Sequence, residues 1–140
     1  MRGIRIKQAG GPEELELCEM DIPEIGVDEV LIKVEAAGVN RPDILQRQGF
    51  YKVPEGASPL PGLEVSGKVV RIGKEVSDNW VGKKVVALTH GGGYAEYCAV
   101  NVRHCLSWPE NLNAVDVAAL PETAFTVFHN VIERGALKEG

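Results

Sequence analysis

Apolar and polar residues alternate from Glu29 to Glu35, with Val30, Ile32 and Val34 on one face and Lys33 and Glu35 on the other. That period of two predicts a strand with one buried face. Comparable runs, rich in β-branched residues and punctuated by glycine and proline, cover Gly3–Gln8, Glu14–Met20, Glu29–Ala37, Glu64–Ile72, Lys84–Leu88 and Tyr94–Val100, and each is predicted to be a strand. Asn40–Gly49 carries a capping residue, Pro42 in the first turn, Asp43 near the N-terminus and a glycine past the end, which predicts a short helix. Beyond Asn111 the pattern becomes helical. Ala114–Leu120 is alanine-rich, and Thr123–Glu133 is helically periodic and ends at a cation and a glycine, Arg134 and Gly135. The proline-rich stretch Lys52–Gly62 predicts a loop over a cleft. Together the elements predict a mainly β protein with helices, of the α+β class.

The chain's 140 residues suffice for one domain with its own core, so neither disulfides nor a structural metal is needed for folding. A hydrophobic fraction of 44%, a charged fraction of 25% and a net charge of -5 are ordinary for a globular protein and give no electrostatic reason to expect nucleic acid as a partner. Cys18, Cys98 and Cys105 are odd in number and form no CxxC pair. They fit a reducing, cytoplasmic setting better than a disulfide framework or a self-contained zinc site. Charges interrupt the apolar residues of the N-terminus and no apolar stretch is long enough to span a bilayer, so neither a signal peptide nor a membrane partner is expected.

Local motifs carry little chemistry by themselves. Gly62–Lys68 has the glycine and lysine spacing of a phosphate loop, but Val69 stands where a Ser/Thr would bind magnesium, and the stretch reads as strand. Gly91–Gly93 could begin a dinucleotide fingerprint, yet Glu96 takes the third glycine's place, so a hairpin turn feeding Tyr94–Val100 is expected. His90, His104 and His129 have no second ligand at metal spacing and are expected to be packing or surface residues. Trp80 and Trp108 read as core or rim aromatics, and charge pairs such as Lys83–Lys84 as solvated faces.

Longer segments are more informative. Ala36–Tyr51 (AAGVNRPDILQRQGFY), Pro61–Gly67 (PGLEVSG), Gly91–Tyr97 (GGGYAEY) and Leu120–Val127 (LPETAFTV) resemble, in order, the signatures of zinc-independent, zeta-crystallin-like quinone oxidoreductases of the medium-chain dehydrogenase/reductase superfamily. The resemblance implies a GroES-like, partly open β-barrel over residues 1–122, followed over 123–140 by a connecting helix leading toward a Rossmann domain that this chain lacks. Zinc-dependent members carry a cysteine where this chain has Asn40, a histidine where it has Leu63, and a second cysteine near Glu122. The resemblance therefore implies catalysis without zinc.

The same resemblance implies hydride transfer from NADPH to a quinone, an enone or a related conjugated carbonyl. Asn40 and Tyr51 are the expected catalytic residues, Asn40 and Thr126 the expected cofactor contacts, and Leu45, Tyr51 and Leu63 the expected acceptor pocket. No metal ligand is expected. Many bacterial relatives have a tyrosine where this chain has Leu45, which changes the polarity expected there. Local alternatives are an N-cap role for Asn40 and a buried helical hydroxyl for Thr126. Without the Rossmann half the chain is expected to be nearly inactive, and the full-length protein to be a homodimer. An enoyl or alkenal reductase half and a free-standing GroES-like binding module remain the alternatives. A further expectation is that Phe125, Val127, Phe128 and Val131 lie on a helix face with no partner in this chain.

Overall fold

The computed structural model describes residues 1–139. The chain forms β1 (Arg2–Ile6), β2 (Leu15–Glu19), β3 (Glu29–Ala37), α1 (Arg41–Arg47), β4 (Glu64–Ile72), β5 (Lys84–Leu88), β6 (Tyr97–Asn101), β7 (Cys105–Ser107), α2 (Ala114–Ala118) and α3 (Pro121–Val127). α3 runs on into a π-helical segment, Phe128–Arg134. Short 3-10 turns occur at Pro12–Glu14, Asp78–Trp80 and Val102–His104.

β1 and β2 make an antiparallel hairpin, and the other strands form a five-stranded sheet in the order β6-β3-β4-β5-β7. The fold is the expected α+β arrangement, mostly β, and the barrel is not closed. The hairpin reaches the β6 side of the sheet through a bridge between Gly3 and Ala95, and Arg2 clamps Glu96 there with Nη2 2.7 Å from Oε1. Both side chains are largely solvent-exposed, so this pair orients the hairpin more than it stabilises it.

Val30 and Ile32 of β3 meet Val65 and Val69 of β4, Val85 and Ala87 of β5, and Cys98 and Val100 of β6 in one buried cluster. The alternation in β3 thus names the core face correctly. The opposite face of the sheet's centre is also covered, because α2 packs across β3 and β4. Leu31, Ser66 and Val86, which point that way, are buried too, and the Ser66 hydroxyl donates to the Ala114 carbonyl at 2.7 Å. Burying a Val or Ile side chain contributes roughly 1.5–3 kcal/mol, so this doubly covered centre is a main source of the domain's stability.

Several boundaries differ from the sequence expectation. Gly91–Gly93 is not a hairpin turn, because β5 pairs with β4 and β7 while β6 pairs with β3. The triglycine is instead a crossover from the sheet's interior to its edge, and Tyr94–Glu96 lies outside β6. β7 and the 3-10 turns carry no periodic signal in the sequence. The helix expected over Thr123–Glu133 begins at Pro121 and changes hydrogen-bond register at Phe128, where Gly135 N–H donates to Asn130 O at 2.9 Å. Of the residues expected to lack a partner, Val127, Phe128 and Val131 are exposed and Phe125 is partly buried. No helix among the described residues is long and apolar enough to cross a membrane.

Candidate active site

Three chain segments converge beside α1. The crossover after β5 lies against the loop that precedes β4: Gly92 N–H donates to Leu60 O at 2.9 Å, Gly93 N–H to Gly62 O at 3.0 Å, and Tyr94 N–H to Pro61 O at 3.1 Å. Gly62 has φ +102, and a Cβ there would stand 2.6 Å from the Tyr94 nitrogen. Both the left-handed backbone and the close approach require glycine.

Asp43, on the first turn of α1, ties these segments together. It is only 4% exposed. Its Oδ1 accepts from Gly62 N–H at 2.8 Å, and its Oδ2 from Asn40 N–H at 2.8 Å and from the Tyr94 hydroxyl at 3.1 Å. Burial, and then the Asp43 carboxylate, raise the Tyr94 pKa well above the ordinary tyrosine value, so the hydroxyl remains a donor. Read from sequence as a simple helix-start acid, Asp43 is in fact a three-way junction.

Asn40 holds the N-cap position of α1, and its backbone N–H donates to Asp43 Oδ2. The side chain has a separate task. Its Nδ2 donates to Glu64 Oε1 at 2.8 Å, while Glu64 Oε2 accepts from the Glu122 N–H at the start of α3 at 2.9 Å. Glu64 is 2% exposed and makes no salt bridge among the described residues. Its charge is met by N–H donors, one of them at a helix N-terminus where the backbone dipoles favour an anion. Gly38 lies directly over this carboxylate, and a Cβ there would collide with Glu64 Oε1. Neither Glu64 nor Gly38 stands out in the sequence, since the partners of Glu64 come from α1 and α3.

Tyr51 and Leu63 lie on one space. They line a narrow cleft of about 30 Å³ with Gln46, Val53 and His90. Leu63 immediately precedes Glu64, but neither Asn40 nor Glu64 is among the residues lining this cleft. Leu45 is partly buried on α1 and is not among the residues lining this cleft. Thr126 lies on α3, one turn after Glu122, and is exposed, so it is not the buried helical hydroxyl of the local alternative. A larger cavity of about 710 Å³ lies on the other side of Pro54, Ser58, His90 and Gly91, which face both spaces. His90 and His104 meet edge-to-face there with ring centroids 5.3 Å apart.

Among the described residues no cluster of three His, Cys, Asp or Glu side chains is arranged to hold a metal ion. Cys98 and Cys105 are buried in the core, and burial pushes both thiols up to about 12. They are packing residues.

The sequence model described as the alcohol dehydrogenase GroES-like domain matches residues 26–110. This chain belongs to that family. The GroES-like domain here is 34% identical over 142 residues to the quinone oxidoreductase of Lama guanicoe, an alignment covering 100% of this chain and 43% of the relative. Among solved structures it resembles the human synaptic vesicle membrane protein VAT-1 homolog-like protein, with a TM-score of 0.88 and 31% identity over 100% of this chain and 45% of that one. It also resembles a mycobacterial protein complexed with NADPH, with a TM-score of 0.86 and 29% identity over 100% of this chain and 43% of that one. The chain therefore spans less than half the length of these relatives.

Proposed function

We propose that this GroES-like domain is the acceptor-side, catalytic half of a cytoplasmic, NADPH-dependent quinone oxidoreductase that works without zinc. The observation that carries the reading is Asn40: its amide is held by the buried carboxylate of Glu64, the residue that follows Leu63 of the cleft. The quinone oxidoreductase relative and the NADPH-bound structure support the reaction class and the cofactor.

The donor set does not suit zinc. The positions that would carry its ligands hold a neutral amide, Asn40, whose nitrogen already donates to Glu64, an aliphatic side chain, Leu63, and Glu122, whose backbone N–H serves the same carboxylate. Thiolate and imidazole are both missing from these three positions. A nicotinamide fits better, because its carboxamide needs hydrogen-bond partners of fixed direction and Asn40 supplies them. When bound, the cofactor would supply the hydride.

The chain's own residues then have four tasks. Asn40 orients the carboxamide. Leu63 and Val53 keep water from the narrow cleft, which strengthens each polar contact inside it. The Tyr51 hydroxyl donates to the acceptor oxygen on which negative charge develops. Thr126 adds a hydroxyl from α3 on the cofactor side. The complete protein would hold the dinucleotide on a Rossmann half and pair as a homodimer.

The test is NADPH oxidation with 1,4-benzoquinone, measured on residues 1–140 alone and on the same chain joined to a nicotinamide-binding Rossmann half. Turnover only in the joined protein is expected. Turnover in neither would favour a binding module, and turnover with an enone but no quinone would make the protein an alkene reductase.

A further inference from the structure

We propose that Glu64 is a positioning residue for Asn40: its buried carboxylate, shared between the Asn40 side chain and the first turn of α3, dictates which way round the Asn40 amide stands. The proposal rests on the cofactor-facing role of Asn40 for its functional consequence, and on geometry alone for the orientation itself.

An asparagine amide is nearly symmetric in shape but opposite in hydrogen-bond character at its two ends, so its direction is set by its partners. Here the partner is a carboxylate whose two oxygens both accept from N–H donors. Oε1 faces Asn40 at 2.8 Å and Oε2 faces the Glu122 N–H at 2.9 Å. A backbone N–H can only donate, so it holds one carboxylate oxygen in place and leaves the other to receive Nδ2. Three further contacts remove the remaining freedom. Asp43 Oδ2 accepts from the Asn40 N–H at 2.8 Å, Gly38 N–H donates to the Glu64 carbonyl at 3.2 Å, and the bare Cα of Gly38 lets the carboxylate lie against the chain. The same carboxylate joins the loop that carries Asn40 to the helix that carries Thr126, so both expected cofactor contacts are referenced to a single side chain.

A carboxylate that merely stapled α3 to the sheet would do equally well as an amide of the same shape. A positioning carboxylate would not. In Glu64→Gln the Glu122 N–H keeps the glutamine oxygen, the glutamine NH2 turns to residue 40, and Asn40 must invert to offer its oxygen. The staple survives while the hydrogen-bond pattern offered to a carboxamide is reversed.

The experiment has two arms. In ligand-free, isotope-labelled residues 1–140, scalar coupling across the hydrogen bond should connect Asn40 Nδ2 to the Glu64 carboxyl carbon, and in E64Q should run from the glutamine nitrogen to the Asn40 carbonyl carbon. In the protein joined to a Rossmann half, E64Q should keep a melting temperature near that of the unaltered chain and lose roughly tenfold or more in kcat/KM for NADPH. Absence of the wild-type coupling overturns the proposal, as does an inverted amide with unchanged kinetics. Should E64Q fail to fold, the wild-type coupling decides. A protein that shows the coupling but oxidises no NADPH would sink the quinone reductase reading and leave the orientation of Asn40 established.

Discussion

The sheet and the C-terminal helix satisfy their residues in opposite ways. At the centre of the sheet, β3 and β4 are covered on both faces, and every buried side-chain polar atom among the described residues has a partner. From Val127 to Leu137 the chain exposes one apolar side chain after another, Val127, Phe128, Val131, Ile132 and Leu137, each at least 42% accessible. The first region is built to hold geometry and the second to present surface. Asn40 and Thr126, which the proposed chemistry uses together, lie just after β3 and just before the exposed stretch, and Glu64 links the Asn40 side chain to the first turn of the helix that carries Thr126.

The difference is sharpest under truncation. Ile32→Ala, in the doubly covered strand, should destabilise the domain by about 3 kcal/mol through lost burial and an unfilled cavity, read as a lower urea midpoint. Asn40→Ala should cost about 2 kcal/mol. A lost cap accounts for only about 1 kcal/mol of that, and the rest comes from leaving a buried carboxylate oxygen without its donor. A loss no larger than the cap value would mean that water replaces the amide at Glu64.

Alkaline pH probes the junction at Asp43. The folded-state pKa values of Tyr94, Cys98 and Cys105 all lie above their ordinary values of 10.0 and 9.0. The folded protein therefore keeps protons that the unfolded chain releases, and stability is complete below about pH 9 and falls as pH rises from there toward 12. Tyr94→Phe should make that decline shallower above pH 10, by of order 1 kcal/mol at most because Tyr94 is partly solvent-screened. An identical pH profile would free Tyr94 from Asp43. The smallest effect belongs to the helix: Phe128→Ser and Val131→Ser should each change the stability of this chain by no more than about 0.5 kcal/mol while reducing its binding of an apolar dye. A larger loss would mean that the face is packed after all.

The same contrast governs what could be read beforehand. β3, β4 and β5 match their expected ranges at both ends, since dense β-branched residues and flanking turn residues mark a central strand clearly. β7 has no signal because three residues hold no period, and the pattern of Thr123–Glu133 predicts a helix without marking the change of hydrogen-bond register at Phe128. The roles of Tyr51 and Leu63 rest on resemblance, and no short pattern in the sequence shows that both line one cleft. Glu64, the acid that organises the site, looked like the first residue of a strand. Its role depends on donors supplied by Asn40 and Glu122, and no pattern within a short window encodes such a meeting.

The strand order also constrains how the chain finds this structure. β4 and β5 follow one another closely and pair as neighbours, whereas β3 must capture β6 from the far end of the sequence, joining Glu29 to Asn101. Loops of that length close late and slowly, and sheets dominated by such pairings fold in milliseconds to seconds, not microseconds. The β6 edge is therefore expected to be the last part of the sheet to form, and the interval before it docks is when a nascent chain would most need protection from its neighbours.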